Sequence, residues 1–131
     1  MIRLRKRVED LCYRNELPFS PNTLGGACGI CSYLVFRILK RKGLAPTFHI
    51  NNDHCFVTVE LDTKYWVDLT LTQFVPMSDL VFLADHPYRL KGDWIHRSTR
   101  HATSVKEIRG LFSNWPDEQN PFKQKLPKIS I

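Results

Sequence analysis

The stretch "GGACGICSYLVFRILKRKG", residues 25–43, carries the strongest helix pattern in the chain. Its apolar side chains recur at the spacing of one helix face, and these are Cys31, Leu34, Val35, Ile38 and Leu39. Gly25 and Gly26 permit a sharp turn before the helix, and Gly43 follows a basic last turn, which is the usual stop signal. We therefore predict a helix that begins near Cys28 and ends before Gly43.

The segments on both sides of this helix predict an α+β domain. Upstream, Leu4, Val8, Leu11 and Cys12 have helical spacing and indicate an N-terminal helix over residues 3–15, so that the helix at Cys28 is the second. Downstream, "TFHI", "HCFVTVEL" and "KYWVDLTL" alternate in polarity and are separated by the turn sequences "NND" and "LDTK". We expect these three segments to form a small antiparallel sheet with the helices to one side.

The C-terminal third predicts two more helices and a tail. A short helix is expected over residues 78–84, and a better one over residues 104–113, where Ser104 and Glu107 have the spacing of a capping box. After Trp115 the proline-rich residues 116–131 are expected to run extended over the surface. The whole chain, 1–131, fits one domain.

Composition narrows the class of protein. The chain of 131 residues is 43% hydrophobic and 24% charged, with neither an apolar run that could span a bilayer nor a Sec signal at its start. The 4 cysteines are too few for a disulfide scaffold, which favours a reducing compartment. We expect a cytoplasmic protein or one delivered by a signal-peptide-independent route. The net charge of +6 favours acidic partners, but we interpret the basic clusters as solvated helix faces rather than a nucleic-acid site.

The two cysteines at the helix start have different expected roles. Cys28 lies where unsatisfied backbone N–H groups and the helix dipole favour a thiolate, the form of cysteine that attacks carbonyl groups. Cys31 falls on the apolar face and is expected to be a small core residue. Position alone leaves it open whether Cys28 is a nucleophile or a second core residue.

A nucleophilic cysteine needs a base and a group that orients the base. His54 begins one predicted strand and Asp68 lies in the next. A two-residue turn at Asp62 and Thr63 would place His54 and Asp68 on opposite faces of the sheet. A loop of three or five residues would place them on one face as diagonal neighbours, with Asp68 opposite Phe56. The catalytic interpretation therefore requires an odd-numbered loop.

The order of Cys28, His54 and Asp68 in "CGICS", "HCFVTVE" and "WVDLT" resembles the transglutaminase-like branch of the papain-like cysteine-enzyme superfamily, over about residues 22–75. The resemblance implies a nucleophile at Cys28, its base at His54 and an orienting group at Asp68. Ser32 matches the small residue that packs such a helix against the sheet. In that superfamily the histidine is more commonly followed by alanine and tryptophan, as "HAW", whereas this chain has Cys55 and Phe56 after His54. The segment "VDLTLTQF" resembles bacterial enzymes that deamidate or cross-link glutamine, several of them toxins or effectors.

The resemblance implies acyl transfer at an amide carbonyl without a metal or other cofactor. Protein glutamine deamidation is the first choice, and transamidation and peptide cleavage stay open. The expected partner is a protein or peptide, presented through a glutamine side chain, together with a cognate immunity protein if the chain is a toxin. Candidate oxyanion donors are the backbone N–H of Cys28 and the side chains of Asn22, Thr23 and Gln73.

Three other functions compete with this one. A thioredoxin-like dithiol fits "ACGICS" locally, but that fold needs a strand running into the motif and a parallel sheet. A zinc site could use Cys28 and Cys31 with His49 and His54, or with Cys55. A binding module without catalysis would use the basic face and the aromatic residues Trp94 and Trp115. We interpret His86, His96 and His101 as surface residues.

Overall fold

The computed structural model describes residues 10, 28–51, 54–61, 63–68, 81–83 and 99–126. The described elements are helix α1 (Cys28–Arg41), strands β1 (Pro46–Ile50), β2 (Cys55–Glu60), β3 (Lys64–Val67), β4 (Val81–Leu83) and β5 (Arg100–Ala102), helix α2 (Val105–Leu111), and two 3-10 turns, Asp117–Gln119 and Pro121–Lys123. This arrangement confirms the α+β class. The predicted N-terminal helix over residues 3–15 lies outside the described residues, except for Asp10.

Helix α1 ends where its sequence predicts. Gly43 has a φ of 81°, the left-handed conformation that glycine adopts without strain. The Leu44 N–H donates to the Leu39 carbonyl at 3.1 Å, and the Gly43 N–H donates to the Lys40 carbonyl at 3.0 Å. These two bonds form a Schellman cap, which satisfies carbonyls that the helix end leaves open.

The sheet has the strand order β4-β3-β2-β1-β5, and every described pair of neighbours is antiparallel. The prediction of an antiparallel sheet from the first three strands is confirmed. The helix expected over residues 78–84 is wrong in its described part, because Val81–Leu83 is a strand that pairs with β3. A short apolar segment gains backbone hydrogen bonds by extending a sheet edge, whereas the first turn of an isolated helix orders several residues for a single hydrogen bond.

Strand alternation places one face of the sheet against α1. The strand side chains that point toward α1 form one core cluster with the side chains of the helix. These strand residues are Phe48, Ile50, Cys55, Val57, Val59, Tyr65 and Val67. The other face of β2 is covered as well, since Phe56 and Thr58 are buried. His54 and Asp68 stand next to the ends of β2 and β3, so the sheet holds them in a buried environment.

The capping box predicted for the C-terminal helix is confirmed. Ser104 is the N-cap of α2, and its side chain accepts from the Glu107 N–H at 3.2 Å. The Ser104 hydroxyl in turn donates to Glu107 Oε1 at 3.0 Å. This helix spans Val105–Leu111, slightly shorter than the predicted 104–113.

The tail expected from residue 116 is folded rather than extended over its described part, residues 116–126. Its two 3-10 turns are fixed by Asn120, whose side chain donates to the Phe112 carbonyl at 3.2 Å and accepts from the Phe122 N–H at 2.9 Å. Phe122 also packs on Tyr33 of α1, with ring centroids 4.8 Å apart. Packing against α1 explains the difference from the expectation, and residues 127–131 lie outside the described range.

The first turn of α1 packs so tightly against the C-terminal segment that Gly29 has no room for a side chain. A Cβ at Gly29 would lie 2.8 Å from Phe112 Cε1 and 2.9 Å from the Gln119 carbonyl oxygen. We expect Gly29→Ala to lower the free energy of unfolding by about 1–3 kcal/mol, the usual cost of overpacking. Urea unfolding measures this change.

Gly110→Ala is the matched control for that variant. A Cβ at Gly110 meets nothing within 4 Å, and Gly110 lies inside α2. The substitution should therefore stabilise the protein by about 0.5–1 kcal/mol, because alanine favours the helix. Equal effects of the two alanines on stability would contradict the described packing of the C-terminal segment on α1.

Candidate active site

Cys28 is the first residue of α1 and is 3% exposed. Its sulfur therefore lies beside the N–H groups of the first helical turn, which lack partners within the helix. Ser32, one turn later, donates from its hydroxyl to the Cys55 carbonyl at 3.0 Å. This bond fixes the start of α1 against the start of β2, the role expected of the small residue at position 32.

A short turn between β1 and β2 holds His54 in place. The His54 N–H donates to Asn51 Oδ1 at 2.8 Å, and the Asn51 N–H donates to the His54 carbonyl at 2.9 Å. The sequence "NND" predicted a turn, but it did not predict that the Asn51 side chain binds the His54 N–H. Asparagine is common in turns because its side chain bonds nearby backbone groups.

The loop between β2 and β3 has the odd length that the catalytic interpretation requires. Glu60 pairs with Lys64, which leaves three residues in the loop, 61–63. Continuing the register from Val57 and Val67 places Asp68 opposite Phe56, on the face that His54 shares. His54 Nε2 lies 2.7 Å from Asp68 Oδ2, and both side chains are 0% exposed. The structure therefore meets the condition on which the catalytic interpretation depends, and it places His54 against Asp68.

The His54 side chain contacts Asp68 on one side and Cys28 on the other. Asp68 takes Nε2, and the hydrogen bonding and charge of Cys28 add to those of Asp68 in raising the pKa of His54. The structure thus brings together all three residues of the predicted triad. A carboxylate that binds one ring nitrogen fixes both the orientation of the ring and the position of its protons.

The charges of this cluster favour a thiolate at Cys28. Hydrogen bonding from the Cys55 thiol, together with the hydrogen bond and positive charge of His54, outweighs burial and lowers the pKa of Cys28 to about 5. Burial alone would lower the pKa of His54, but the charge and hydrogen bond of Asp68 and the contact with Cys28 raise it to about 10. At neutral pH the pair is therefore a thiolate and an imidazolium.

The other two described cysteines stay protonated. Burial raises the pKa of Cys31 to about 12, and burial also raises the pKa of Cys55 well above its ordinary value. Cys31 is 0% exposed, which confirms its assignment as a buried residue. The contact of Cys55 with Cys28 is new. The sign of this contact in the sequence was that a cysteine follows His54, where the family more commonly has the alanine of "HAW".

The described residues do not favour the zinc site or the thioredoxin-like dithiol. They contain no group of three or more histidine, cysteine or acidic side chains arranged to hold a metal, although all five residues of the predicted zinc set lie in the described ranges. His49 instead bonds Thr58 at 2.7 Å and stacks on Phe56 at 4.7 Å. The antiparallel strand pairs do not match a thioredoxin-like sheet.

Several predicted residues fall outside the described part of the chain. These are the candidate oxyanion donors Asn22, Thr23 and Gln73, together with Trp94, His86 and His96. Trp115 is half-buried, with its ring edge-on to Phe112 at 5.2 Å. His101 is exposed, which confirms its assignment as a surface residue.

A cavity of about 460 Å³ opens along the C-terminal segment. Its lining carries two basic groups, one acidic group and two aromatic rings, and consists of Arg109, Ser113, Trp115, Asp117, Asn120, Phe122 and Lys123. The guanidinium of Arg109 lies 5.1 Å from the centre of the Phe122 ring. The residues that line this cavity come from the C-terminal segment, which also packs against Gly29, the residue after Cys28.

No family model, curated protein or solved structure matches this chain. None of the helices in its described part has the length and apolar character needed to cross a bilayer.

Proposed function

We propose that the protein is a cysteine-dependent acyl-transfer enzyme with a transglutaminase-like, papain-like core. Its substrate is an amide carbonyl, and its catalytic residues are Cys28, His54 and Asp68. The observation that carries the proposal is the buried bond between His54 and Asp68 at 2.7 Å, on a histidine that helps to lower the pKa of Cys28 at the start of a helix. Nucleophile, base and orienting group then stand in the order that covalent catalysis needs.

In the first step the Cys28 thiolate attacks the carbonyl carbon. The carbonyl oxygen gains negative charge, and the candidate donors that would stabilise it are the backbone N–H of Cys28 and the side chains of Asn22, Thr23 and Gln73. The His54 imidazolium then gives its Nδ1 proton to the departing amine, and a thioester to Cys28 is left. Asp68 stays ionised throughout, holding the ring and stabilising its charged form.

In the second step a nucleophile clears the thioester. Water gives the free acid and completes a deamidation, while an amine gives transamidation. Peptide cleavage needs only that a main-chain amide replaces the side-chain amide. Deamidation of glutamine in a protein target is the first choice, which rests on the resemblance of "VDLTLTQF" to glutamine-modifying enzymes. A toxin or effector role, with a cognate immunity protein, and a signal-peptide-independent delivery route rest on the same resemblance.

Intact-mass analysis of candidate protein targets tests the reaction. Deamidation raises the target mass by about 1 Da for each glutamine, because an acid replaces an amide, and releases ammonia. Added monodansylcadaverine separates the outcomes, since transamidation attaches the fluorescent amine and peptide cleavage yields fragments. Cys28→Ser is the control. A modification that persists in Cys28→Ser, or targets that stay unmodified at every enzyme concentration, would overturn the proposal.

A further inference from the structure

Cys55 is the residue of the buried cluster that the proposed reaction does not use. Its side chain is 0% exposed and lies in the same core cluster as Cys28. Hydrogen bonding by Cys55 is also the largest cause of the lowered pKa of Cys28. The Cys55 carbonyl is held by the Ser32 hydroxyl at 3.0 Å, and its strand position is fixed by pairing with Ile50. Because Ser32 lies one turn after Cys28, its bond to Cys55 holds the start of helix α1 against the start of strand β2, and both thiols lie in one core cluster.

We propose that Cys28 and Cys55 form a peroxide-sensitive thiol pair, in which hydrogen peroxide converts the two thiols to a disulfide that blocks Cys28 reversibly. This second chemistry of the site does not require the proposed acyl transfer. It requires only that Cys28 is ionised and that the Cys55 thiol can reach it.

The first step oxidises Cys28. Its thiolate attacks one peroxide oxygen, an S–O bond forms, and the O–O bond breaks. The departing hydroxide takes the proton of the His54 imidazolium and leaves as water, so Cys28 becomes a sulfenic acid. The lowered pKa of Cys28 supports this step, because the thiolate is the form that reacts.

The second step uses Cys55. Its sulfur attacks the Cys28 sulfur, an S–S bond forms, and the S–O bond breaks. The hydroxyl group takes the Cys55 proton and leaves as a second water. Two thiols have then lost two electrons to one peroxide, and both peroxide oxygens end as water.

Cys31 is the competing partner, because it lies one helical turn from Cys28. Cys55 shares the core cluster of Cys28 and lowers its pKa by hydrogen bonding, whereas Cys31 does not contribute to the pKa of Cys28 and only experiences its charge. Cys31 also lies on the helix face that points into the core. The geometry therefore assigns Cys55 as the resolving thiol.

Peptide mapping after treatment of the full chain with hydrogen peroxide tests the assignment. The expected product has lost about 2 Da and carries a Cys28–Cys55 link, and dithiothreitol restores the alkylation of Cys28 by iodoacetamide. In Cys55→Ala the same treatment should carry Cys28 to the sulfinic acid, a gain of about 32 Da that dithiothreitol does not reverse. Cys31→Ala should still form the disulfide.

Each of the other outcomes overturns the proposal. A Cys28–Cys31 link would assign the wrong partner, and a wild-type chain that goes directly to the sulfinic acid would have no resolving thiol. If Cys55→Ala does not fold, Cys55→Ser replaces it, and the peptide map of the wild-type chain still identifies the cysteine that is linked to Cys28. A disulfide that forms in a chain inactive toward amides would leave this inference standing and remove the acyl-transfer proposal, so the two fail separately.

Discussion

Cys28→Ser is expected to abolish acylation by p-nitrophenyl acetate, an activated ester that reports a nucleophilic thiol without requiring the natural substrate. The wild-type chain should release a burst of one p-nitrophenolate per molecule, because its thiolate is already ionised at neutral pH. The serine hydroxyl lacks that ionisation, and loss of a catalytic nucleophile costs roughly 10⁴-fold or more in rate. Stopped-flow absorbance measures the burst.

Cys31→Ala is the matched control for the loss of Cys28. Both cysteines are buried in α1, but Cys31 has a raised pKa and packs in the core. Its alanine variant should keep the burst of one product per chain while losing some stability to the vacated volume. A burst that disappears in Cys31→Ala and survives in Cys28→Ser would reverse the assignment of the nucleophile.

Asp68→Ala should have the largest effect on stability. Asp68 and His54 are both 0% exposed, so removing the carboxylate leaves the imidazolium buried without its 2.7 Å partner. Breaking a buried pair in this way costs about 3–5 kcal/mol. The pKa of His54 should also fall, because burial then acts on it with less opposition. Urea unfolding at pH 7 measures the loss of stability.

The controls for Asp68→Ala separate charge from shape. Asp68→Asn keeps a side chain of nearly the same shape that can still form a hydrogen bond, so it should recover part of the stability. It should recover little of the acylation rate, because the neutral amide no longer stabilises the charged histidine. Glu118→Ala removes an exposed carboxylate and should change stability by less than about 0.5 kcal/mol. A loss of stability in Asp68→Ala no larger than in Glu118→Ala would contradict the buried pair.

The sequence predicted the parts of the fold that carry strong periodic or terminal signals. The stop of α1 at Gly43 follows from a basic last turn and a residue that adopts positive φ, and the start of α2 follows from Ser104 and Glu107. These features depend on neighbours within a few residues, so a local pattern is enough to predict them.

The register that brings His54 to Asp68 could be stated only as a condition. The letters "LDTK" allow a two- or a three-residue loop, and the choice decides which face Asp68 occupies. The structure has three residues in the loop because Glu60 pairs with Lys64. Loop length depends on how the whole strand packs its apolar face, and the turn residues alone do not reveal it.

The C-terminal segment and Cys55 escaped prediction for a different reason. The 3-10 turns after Trp115 have no periodic pattern and form because Asn120 bonds Phe112 and Phe122 packs on Tyr33. Cys55 looks like one more apolar strand residue, and only its contact with Cys28 distinguishes it. Contacts between residues far apart in the chain leave no mark on the local sequence.

The pH dependence of alkylation by iodoacetamide shows whether Cys28 is a thiolate at neutral pH and whether His54 contributes to its ionisation. Mass spectrometry after timed reaction follows each cysteine separately between pH 4 and pH 10. We expect a midpoint near the pKa of about 5 for Cys28, with Cys31 and Cys55 slow throughout because burial raises the pKa of both.

In His54→Ala the pKa of Cys28 should rise from about 5 toward the ordinary value of 9.0, because hydrogen bonding by Cys55, the largest lowering cause, persists but the contributions of His54 are lost while burial still raises the pKa. The alkylation rate at pH 6 should then fall by about tenfold or more, because each unit of pKa above the working pH removes most of the remaining thiolate. A Cys28 midpoint near pH 9 in the wild-type chain, unchanged in His54→Ala, would show that Cys28 is an ordinary thiol and not an activated nucleophile.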